Sequence, residues 1–271
     1  MRRINILFFW LTGHKNNVSF LELVAFLVKP KINAIAKKHI DTITKKEAYE
    51  VKFHAIDDIV YWPDMFSLNR LDQVVAETFD KNDWHYYQKD HTEVENGEII
   101  LDIGTAEGLF PMTVIDKCKH IYMIEPGKIF CDCLEKTFVN HKDKITLFNV
   151  AVGNENGIIP FDENSIEGKI TVENQKSEYK VSINKIDTLL NNNERITYLK
   201  ADIEGFEVEM LKGAEQTIKR NKPKIAITTY HTQNNPDEII ATIKGYVPEY
   251  NYYVKGIYEE TPKPVLIHFW I

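Results

Sequence analysis

Residues 98–108, Glu-Ile-Ile-Leu-Asp-Ile-Gly-Thr-Ala-Glu-Gly, decide the fold of this chain. The apolar run ends at Asp102 and is followed by two glycines, Gly104 and Gly108, before apolar residues resume. Short apolar runs rich in β-branched residues are typical of strands that are buried on both faces, as parallel sheets require. Glycine adopts backbone angles forbidden to other residues and lets a ligand approach the backbone closely. The stretch therefore predicts a buried strand, a tight turn and the start of a helix, with a nucleotide-like cofactor across the turn.

The residues of the turn favour one cofactor over another. A dinucleotide-binding turn reads G-x-G-x-x-G and presents a helix N-terminus to a pyrophosphate. Here the pattern is D-x-G-x-A-x-G, with Ala106 at the second glycine position and Leu109 at the third. The charge of Asp102 suits an ammonium or sulfonium group better than a phosphate. S-adenosylmethionine (SAM), which carries both cations, is thus favoured over NAD, although such turns also occur purely to pack a helix against a strand.

A second acidic residue follows the next apolar run. Ile-Tyr-Met-Ile at 121–124 leads to Glu125 and Pro126, and Glu125 stands 21 positions after Gly104. About 20 residues separate the glycine turn from the acidic ribose ligand in doubly wound sheets. A carboxylate can accept hydrogen bonds from both ribose hydroxyls at once. Glu125 is therefore predicted to bind the ribose, the alternative being a solvated side chain at a strand end.

The totals restrict the class of protein. A chain of 271 residues is long enough for one α/β domain with an extension, and 44% hydrophobic with 27% charged residues is an ordinary globular composition. The net charge of −7 argues against a nucleic-acid partner, because such binding needs a basic surface. The odd number of cysteines, Cys118, Cys131 and Cys133, suits neither a disulfide framework nor a zinc site. A reducing, cytoplasmic location is the resulting expectation.

From residue 98 onward, strand and helix patterns alternate. We expect an α/β fold with a doubly wound, mostly parallel seven-stranded sheet and an antiparallel C-terminal strand, after an N-terminal helical extension. The predicted domains are this extension at 1–95 and a SAM-binding Rossmann-like domain at 96–271. The predicted strands are 98–102, 120–124, 145–150, 196–202, 224–230, 250–257 and 264–270. Helices are expected near 109–117, 127–140 and 184–191, the last after a short β excursion within 153–195.

The first 95 residues carry weaker signals. Helical spacing over residues 18–50, interrupted at Pro30, predicts helices, and a further helical pattern covers 68–79. The aromatic-rich segment 51–97 is interpreted either as core or as a lid that selects the substrate. Residues 4–11, which could form a strand or a packed helix, are too short to span a bilayer and lack a signal cleavage site. Contact of residues 4–11 and 20–28 with a membrane surface is a less favoured alternative, and a homodimer through residues 1–60 is left open.

A third cluster reads Tyr-Leu-Lys-Ala-Asp-Ile-Glu-Gly at 198–205, a strand that ends in Asp202 and Glu204. Ligands of open α/β sheets lie at the carboxyl ends of strands where the strand order reverses. We expect this strand beside 98–102, so that both carboxylates face the cofactor. Lys200 alternates with them and needs a partner to be tolerated inside a strand. A salt-bridged strand end without catalytic function is the alternative.

The strand that begins at Lys224 runs to Thr228-Thr229-Tyr230-His231. Its end lies next along the predicted sheet, so His231 can reach the same cleft. A histidine that titrates near neutrality is the ordinary choice for removing a proton from a nucleophile. A catalytic or metal-binding role therefore competes with that of a structural hydrogen-bonding residue.

These segments together resemble the FkbM-like family of SAM-dependent methyltransferases, which have the class I Rossmann-like fold. The resemblance covers about residues 98–231, and the Lys-x-Asp-x-Glu-Gly-x-Glu block is its specific element. The matching segments are LDIGTAEG at 101–108, IEP at 124–126, NVAVGNENG at 149–157, INKIDTLL at 183–190, KADIEGFEVEMLKGA at 200–214 and the strand ending at His231.

The resemblance implies SAM as methyl donor and O-methylation of a hydroxyl on a sugar, a glycan of the capsule or lipopolysaccharide type, or a small metabolite. The residues that it assigns to SAM are Asp102, Gly104, Thr105, Ala106, Gly108, Glu125, Pro126, Asn149 and Ala151. Those that it places around the acceptor are Asp202, Glu204 and His231, and Lys200 is predicted to join them as a catalytic residue. The chain departs from the family at Glu107, where Asn is frequent, and at Thr229, where an acidic residue is frequent, which weakens any claim for a metal.

The inferred chemistry is an in-line attack of an acceptor oxygen on the sulfonium methyl group, helped by alignment and a negatively lined cleft. Either His231 or Asp202 removes the acceptor proton, or a divalent ion on Asp202, Glu204 and His231 lowers its pKa. We favour the base and predict no metal. A nicotinamide-dependent oxidoreductase is the rival enzyme, disfavoured by the missing glycines and by the absence of a Tyr-x-x-x-Lys pair, and a cofactor-free scaffold is the non-enzymatic rival.

Overall fold

The structure, a computed structural model, describes residues 2–89, 91–162, 169–170, 179–190, 194–231 and 233–271. The helices are α1 (Arg2–Leu11), α2 (Phe20–Val28), α3 (Ile32–Ala36), α4 (Leu68–Phe79), α5 (Leu109–Val114), α6 (Lys128–Thr137), α7 (Ile186–Leu189), α8 (Glu207–Gly213), α9 (Glu215–Asn221) and α10 (Pro236–Tyr246). The strands are β1 (Ile40–Lys45), β2 (Tyr49–Phe53), β3 (Ile56–Trp62), β4 (Glu98–Ile103), β5 (Cys118–Ile124), β6 (Ile145–Phe148), β7 (Ala151–Val152), β8 (Gly157–Asp162), β9 (Lys169–Ile170), β10 (Lys180–Asn184), β11 (Tyr198–Ala201), β12 (Lys224–Thr228), β13 (Asn251–Lys255) and β14 (Leu266–Trp270).

The central sheet has seven strands in the order β13-β14-β12-β11-β4-β5-β6. The strands from β12 to β6 are parallel, whereas β14 runs antiparallel between β12 and β13. The predicted fold class, including the antiparallel C-terminal strand, is therefore confirmed, and β13 forms the edge of the sheet. The order reverses between β4 and β11, which pair with Lys200 opposite Asp102. Their carboxyl ends thus form the crevice where ligands of such sheets bind.

The sheet is covered on both faces, which explains why its strands read as continuous apolar runs. On one face Ile100 and Ile121 pack with Trp62, Leu71 and other residues of the N-terminal segment and α6. The other face packs against α8, α9 and α10. Its buried members include Leu101, Leu199, Met210, Ile218 and Ile243. A parallel sheet needs both layers because neither of its faces can remain in water.

The N-terminal extension differs from its prediction. Helices α2 and α3 confirm the first part of the helical pattern over 18–50, and α4 matches the pattern at 68–79. Residues 40–53, however, are not helical, because β1 and β2 pair antiparallel and β3 completes a three-stranded sheet. The β-branched Ile40, Thr42, Ile43 and Thr44 favour a strand once a partner is present, and tertiary pairing overrides the weak helical spacing. Residues 4–11 adopt the helical alternative, within α1.

Between β6 and β11 the chain makes the expected β excursion. Strand β10 pairs with β7 and β8, β8 pairs with β9, and α7 follows directly. The remainder of the predicted segment, at 163–168, 171–178 and 191–193, lies outside the described residues. Within the described ranges, no helix combines the length and the apolar character needed to cross a bilayer.

Candidate active site

A cleft of ≈ 800 Å³ opens at the carboxyl ends of β4, β5, β11 and β12. Ligand pockets commonly measure roughly 300–1,000 Å³, so this volume fits a cofactor together with part of a second molecule. The sheet contributes residues that the sequence singled out: Gly104, Thr105, Ala106, Glu125, Pro126, Ala151, Lys200, Asp202, Glu204 and His231. The N-terminal extension forms the facing wall, with Phe26, Lys29, Glu77, His85 and Tyr87 among its residues.

The two glycines of the turn are required by contacts within the protein. Gly104 has φ +73°, and a Cβ there would overlap the carbonyl oxygen of Asp202. Gly108 has φ +81°, and its Cβ would lie 2.5 Å from Leu134 and 2.8 Å from Phe138 of the α6 region. The packing alternative therefore accounts for both glycines, and Gly108 does not line the cleft.

Asp102 lies behind the turn and not on the cleft wall. It is fully buried, and its Oδ1 lies 3.1 Å from Lys200 Nζ, which also donates to the Gly104 carbonyl at 2.6 Å. Burial lowers the pKa of Lys200, but the carboxylates of Asp102 and Asp202 outweigh it and the net shift is upward. Thr105 Oγ1 donates to the Asp102 carbonyl. Lys200 thus has the partner that a buried lysine needs, and the pair holds the turn against β11.

Glu125 ends β5 and binds two segments of backbone. Its Oε1 accepts from Gly127 N at 2.7 Å and its Oε2 from Ala106 N at 2.9 Å. Burial raises its pKa to about 7, although the two amide donors oppose the shift. Each carboxylate oxygen keeps a further lone pair for a ligand, since an ionised carboxylate has about four acceptor positions.

The loop after β6 closes the same end of the cleft. Asn149 is exposed, and its Nδ2 donates to the carbonyls of Glu125 and Pro126 at 3.0 and 2.9 Å. Pro126 O also accepts from Tyr179 Oη at 3.1 Å. Ala151 is buried on the cleft wall. Asn149 therefore acts in this structure by holding the Glu125–Pro126 backbone, while Ala151 shapes the cleft.

The predicted acceptor residues converge on one imidazole. His231 Nε2 lies 3.3 Å from Glu204 Oε2 and 3.6 Å from Asp202 Oδ1, and Nδ1 lies 3.1 Å from Glu207 Oε1. Burial lowers the pKa of His231, but hydrogen bonds to Glu204 and Glu207 and the charge of Asp202 raise it to about 10. The imidazole is therefore protonated at neutral pH, and a protonated imidazole has no lone pair with which to accept a proton.

Asp202 has the opposite electrostatic character. Its Oδ2 accepts from Tyr87 Oη at 2.8 Å, and its Oδ1 accepts from Thr228 Oγ1 at 3.1 Å. Burial raises the pKa of Asp202, but His231, Lys200 and the Tyr87 hydroxyl outweigh this effect and the net shift is downward. Asp202 is thus an ionised carboxylate on the cleft wall at neutral pH.

The sequence did not predict a functional role for three residues of the site: Glu207, Glu107 and Tyr87. Glu207 is fully buried and accepts from Ile203 N, Thr228 Oγ1, His231 and Asn234 Nδ2. Its position in the sequence could have indicated a role, since it is the last glutamate of the Lys-x-Asp-x-Glu-Gly-x-Glu block. Glu107, a departure from the family pattern, is buried on the cleft wall, and burial raises its pKa to about 7. Tyr87 had no sequence signal beyond lying in the aromatic segment.

Among the described residues, one group has ligand atoms close enough to share a metal ion: Asp202, Glu207 and His231, within 4.8 Å of one another. Glu207 replaces Glu204 of the sequence hypothesis in this set. Its carboxylate already accepts four hydrogen bonds, and the shifted pKa of His231 favours a proton over a metal at Nδ1 or Nε2. The donor types suit a hard cation, but the hydrogen bonds of Glu207 compete with one.

One solved structure of a known protein agrees with this architecture. The chain resembles the crystal structure of an FkbM methyltransferase from Methylobacillus flagellatus KT with a TM-score of 0.52 and 19% identity, over 88% of this chain and 58% of that one. At this identity the likeness shows a common fold, and the chain spans somewhat over half the length of that relative. An rRNA methylase from Streptococcus thermophilus gives a TM-score of 0.43 and 13% identity, over 65% of this chain and 88% of that one. A precorrin-6y C5,15-methyltransferase from Geobacter metallireducens gives 0.39 and 11%, over 67% and 85%.

No curated protein sequence matches the chain significantly. The family model described as Methyltransferase FkbM domain matches residues 102–253, which include the turn, Glu125, the block from Lys200 to Glu207 and His231. This match covers more than half of the chain. The chain therefore belongs to the FkbM methyltransferase family.

Proposed function

We propose that the protein transfers a methyl group from SAM to a hydroxyl oxygen of a sugar, a glycan or a small metabolite. The observation that carries the proposal is Glu125, a buried carboxylate with no basic partner among its hydrogen bonds, at the end of β5 on the wall of the cleft. Backbone amides hold both oxygens, so the side chain is positioned before any ligand arrives. A ribose diol is a ligand that such a carboxylate can bind with two hydrogen bonds.

The other charges of the cleft fit the same cofactor. Glu107, Asp202 and Glu204 line the wall. Their carboxylates would attract a cation, and this attraction is stronger in a partly buried site because the effective dielectric is below that of water. A pyrophosphate would meet the same carboxylates unfavourably, which argues against NAD. When bound, SAM supplies an electrophilic methyl group on a sulfonium.

Asp202 and His231, at the ends of β11 and β12, lie where the proton of the acceptor hydroxyl must be removed. We assign the general base to Asp202, because it is ionised at neutral pH and lies on the wall, whereas His231 is already protonated. His231 then acts as a positioning residue, since its imidazolium holds Asp202, Glu204 and Glu207 around one point. General base catalysis of this kind typically contributes about 10²–10⁴-fold. We propose no metal for this step.

The domain arrangement enters the proposal as well. Residues 96–271 would bind SAM, and residues 1–95 would shape the acceptor side, because Glu77, His85 and Tyr87 line the wall opposite the sheet. The aromatic residues of segment 51–97 thus have different positions. Trp62 and Phe66 belong to the core, whereas Tyr87 hydrogen-bonds Asp202 on the cleft wall. A cytoplasmic location remains part of the proposal, supported by three buried free cysteines that need no oxidant.

The test begins with calorimetry of SAM, its demethylated product SAH, NAD and NADP. We expect SAM and SAH to bind and the nicotinamide cofactors not to bind. Glu125→Gln should weaken SAM binding at least about tenfold, because one neutral oxygen replaces two charged acceptors. The matched control is Glu155→Gln at an exposed position, which should leave the affinity unchanged. Binding of NAD alone would favour the oxidoreductase, and binding of none of the four would favour the scaffold.

Transfer itself is tested with labelled SAM and fractionated glycans and metabolites, with and without a chelator. We expect the labelled methyl group in a methyl ether formed at a former hydroxyl oxygen of the acceptor. The chelator should not change the rate of this transfer. Label on nitrogen or carbon would refute O-methylation, and loss of activity on chelation would restore the metal hypothesis.

A further inference from the structure

Helices α1 and α2 are apolar on both faces although each has one face in water. Ile6 and Leu23 are buried in the same cluster, so the opposite faces of the two helices point away from the protein. Those opposite faces, with Ile32 of α3, carry eight of the fifteen large apolar side chains that are exposed in the described part of the chain. We call this set the outer apolar face: Ile4, Phe8, Leu11, Phe20, Leu21, Val24, Val28 and Ile32.

The outer apolar face is held as one unit. Trp10 contacts Phe20 at one end, with ring centroids 6.0 Å apart, and Arg3 donates to the carbonyls of Leu27 and Lys29 at the other. The two helices are therefore antiparallel and cross-linked at both ends. The exposure is large, at 61% for Phe8 and 79% for Leu21. Helices that are apolar all round are normally buried, and clustered exposed apolar residues mark an interaction surface.

Charge identifies what this surface fits. Residues 1–46 contain nine lysines and arginines and two acidic residues, Glu22 and Asp41, in a chain whose net charge is −7. Three of the nine basic residues form ion pairs with carboxylates outside this segment, so the charge of the border comes from the others. Lys15, Lys31, Lys37 and Lys38 are exposed beside the helices. Glu22 is paired with Lys255, which further reduces the negative charge near the face. An apolar surface with a basic border is complementary to an anionic bilayer.

A second copy of the chain fits less well. A two-fold dimer would place this surface against itself and bring two basic borders together, which costs electrostatic energy. The helices also have the dimensions of interfacial and not spanning elements, since α1 has 10 residues and α2 has 9. Sequence alone left membrane contact as the less favoured alternative, because it could not show that these apolar faces remain exposed.

We propose that the outer apolar face docks the protein on an anionic lipid surface, with α1 and α2 lying in the headgroup region. Arg3 and Ile32 also line the cleft, so docking would hold the cleft mouth at the membrane interface. Lipid binding by this face does not require methyl transfer in the cleft, and the protein can have either property without the other.

The test is co-sedimentation with vesicles of phosphatidylcholine, alone or mixed with phosphatidylglycerol. We expect the protein to bind the mixed vesicles, and more weakly as salt is raised. Phe8→Glu/Leu21→Glu should weaken binding by about tenfold or more, and removal of Lys31 or Lys38 charge by glutamine roughly fivefold each. The matched control is Ile158→Glu, which changes an equally exposed apolar residue (73%) on β8 and should bind like the parent protein.

Thermal unfolding and SAM affinity are measured for each variant, and both should stay unchanged because the substituted side chains are exposed. Three results would overturn the proposal: a parent protein that binds neither vesicle, a Phe8→Glu/Leu21→Glu protein that binds as well as the parent, or a dimer in light scattering that this double variant makes monomeric. The last result would assign the face to a second copy of the chain.

Discussion

The close approach of the glycine turn to β11 can be tested by adding a single methyl group. In Gly104→Ala the new Cβ would overlap the carbonyl oxygen of Asp202 and lie 2.9 Å from its carbonyl carbon. Neither backbone is free to retreat, because Asp202 N donates to Ile103 O and Gly104 N donates to Ile124 O. The substitution should therefore separate β4 from β11 at the point where the cleft begins.

Gly97→Ala is the matched control. Gly97 also has a positive φ, of +89°, but a Cβ there would have no atom within 4 Å. It should cost only the left-handed backbone conformation of an L-residue, about 1–2 kcal/mol in the free energy of unfolding. Gly104→Ala adds overpacking of about 1–3 kcal/mol, so its total should be about 2–5 kcal/mol.

The measurement is urea unfolding of the parent and both variants, followed by SAM titration of the folded proteins. Gly97→Ala should bind SAM like the parent, and Gly104→Ala should bind it markedly less because the turn that holds Ala106 and Glu125 is displaced. If the two variants lose the same free energy of unfolding, the close approach of the two backbones is not what requires glycine at position 104.

Three further predictions concern ionisation in the cleft. The pKa values of Glu125 and Glu107 are raised to about 7, so both carboxyls are largely protonated at pH 6 and ionise above neutrality; SAM affinity should rise between pH 6 and 7.5, by up to about tenfold for each carboxylate, and calorimetry of Glu125→Gln should show a smaller rise. Because the pKa of His231 is raised from 6.5 to about 10, its stabilising contribution is complete below pH 6.5 and is lost as the pH rises to 10. This loss, on the order of a few kcal/mol in the free energy of unfolding, should be missing in His231→Gln. An unchanged pH dependence in that variant would contradict the protonated imidazole. Tyr87→Phe removes a donor to Asp202 and should raise the pKa of that carboxyl. The acidic limb of the kcat/KM profile should move to higher pH, and the rate should fall roughly tenfold or more. The control Tyr252→Phe, at an exposed position, should change neither the pH profile nor the rate.

Local pattern and general topology rules were sufficient for the sheet and for one side of the site. The apolar run before Asp102, the spacing to Glu125 and the strand end at His231 each lie within a short segment, and strand pairing then brings them to one edge. The position of β11 beside β4 followed from the same rules. The N-terminal sheet could not be predicted in this way, because Thr42 and Ile43 become strand residues only through pairing with β2.

The reasons for individual residues were harder to predict than their positions. Gly108 was expected to admit a ligand, but contacts with Leu134 and Phe138 require it. Asp102 was expected to face the cofactor, but it is fully buried and paired with Lys200. Each of these outcomes depends on a side chain far away in sequence. Periodicity and spacing carry no information about such contacts.

The sequence by itself determined the parallel α/β sheet, the carboxylates at or next to the ends of β4, β5 and β11, and the family, because apolar periodicity and glycine turns act over a few residues. Only the tertiary structure decided how the charges behave. Tyr87 reaches Asp202 across 115 positions, and Glu207 is fully buried beneath His231. Burial and neighbouring carboxylates set the pKa of His231. The packing of α1 and α2 on the protein decides which of their apolar side chains stay exposed and form the outer apolar face. Both properties arise from packing between distant segments, which no local pattern records.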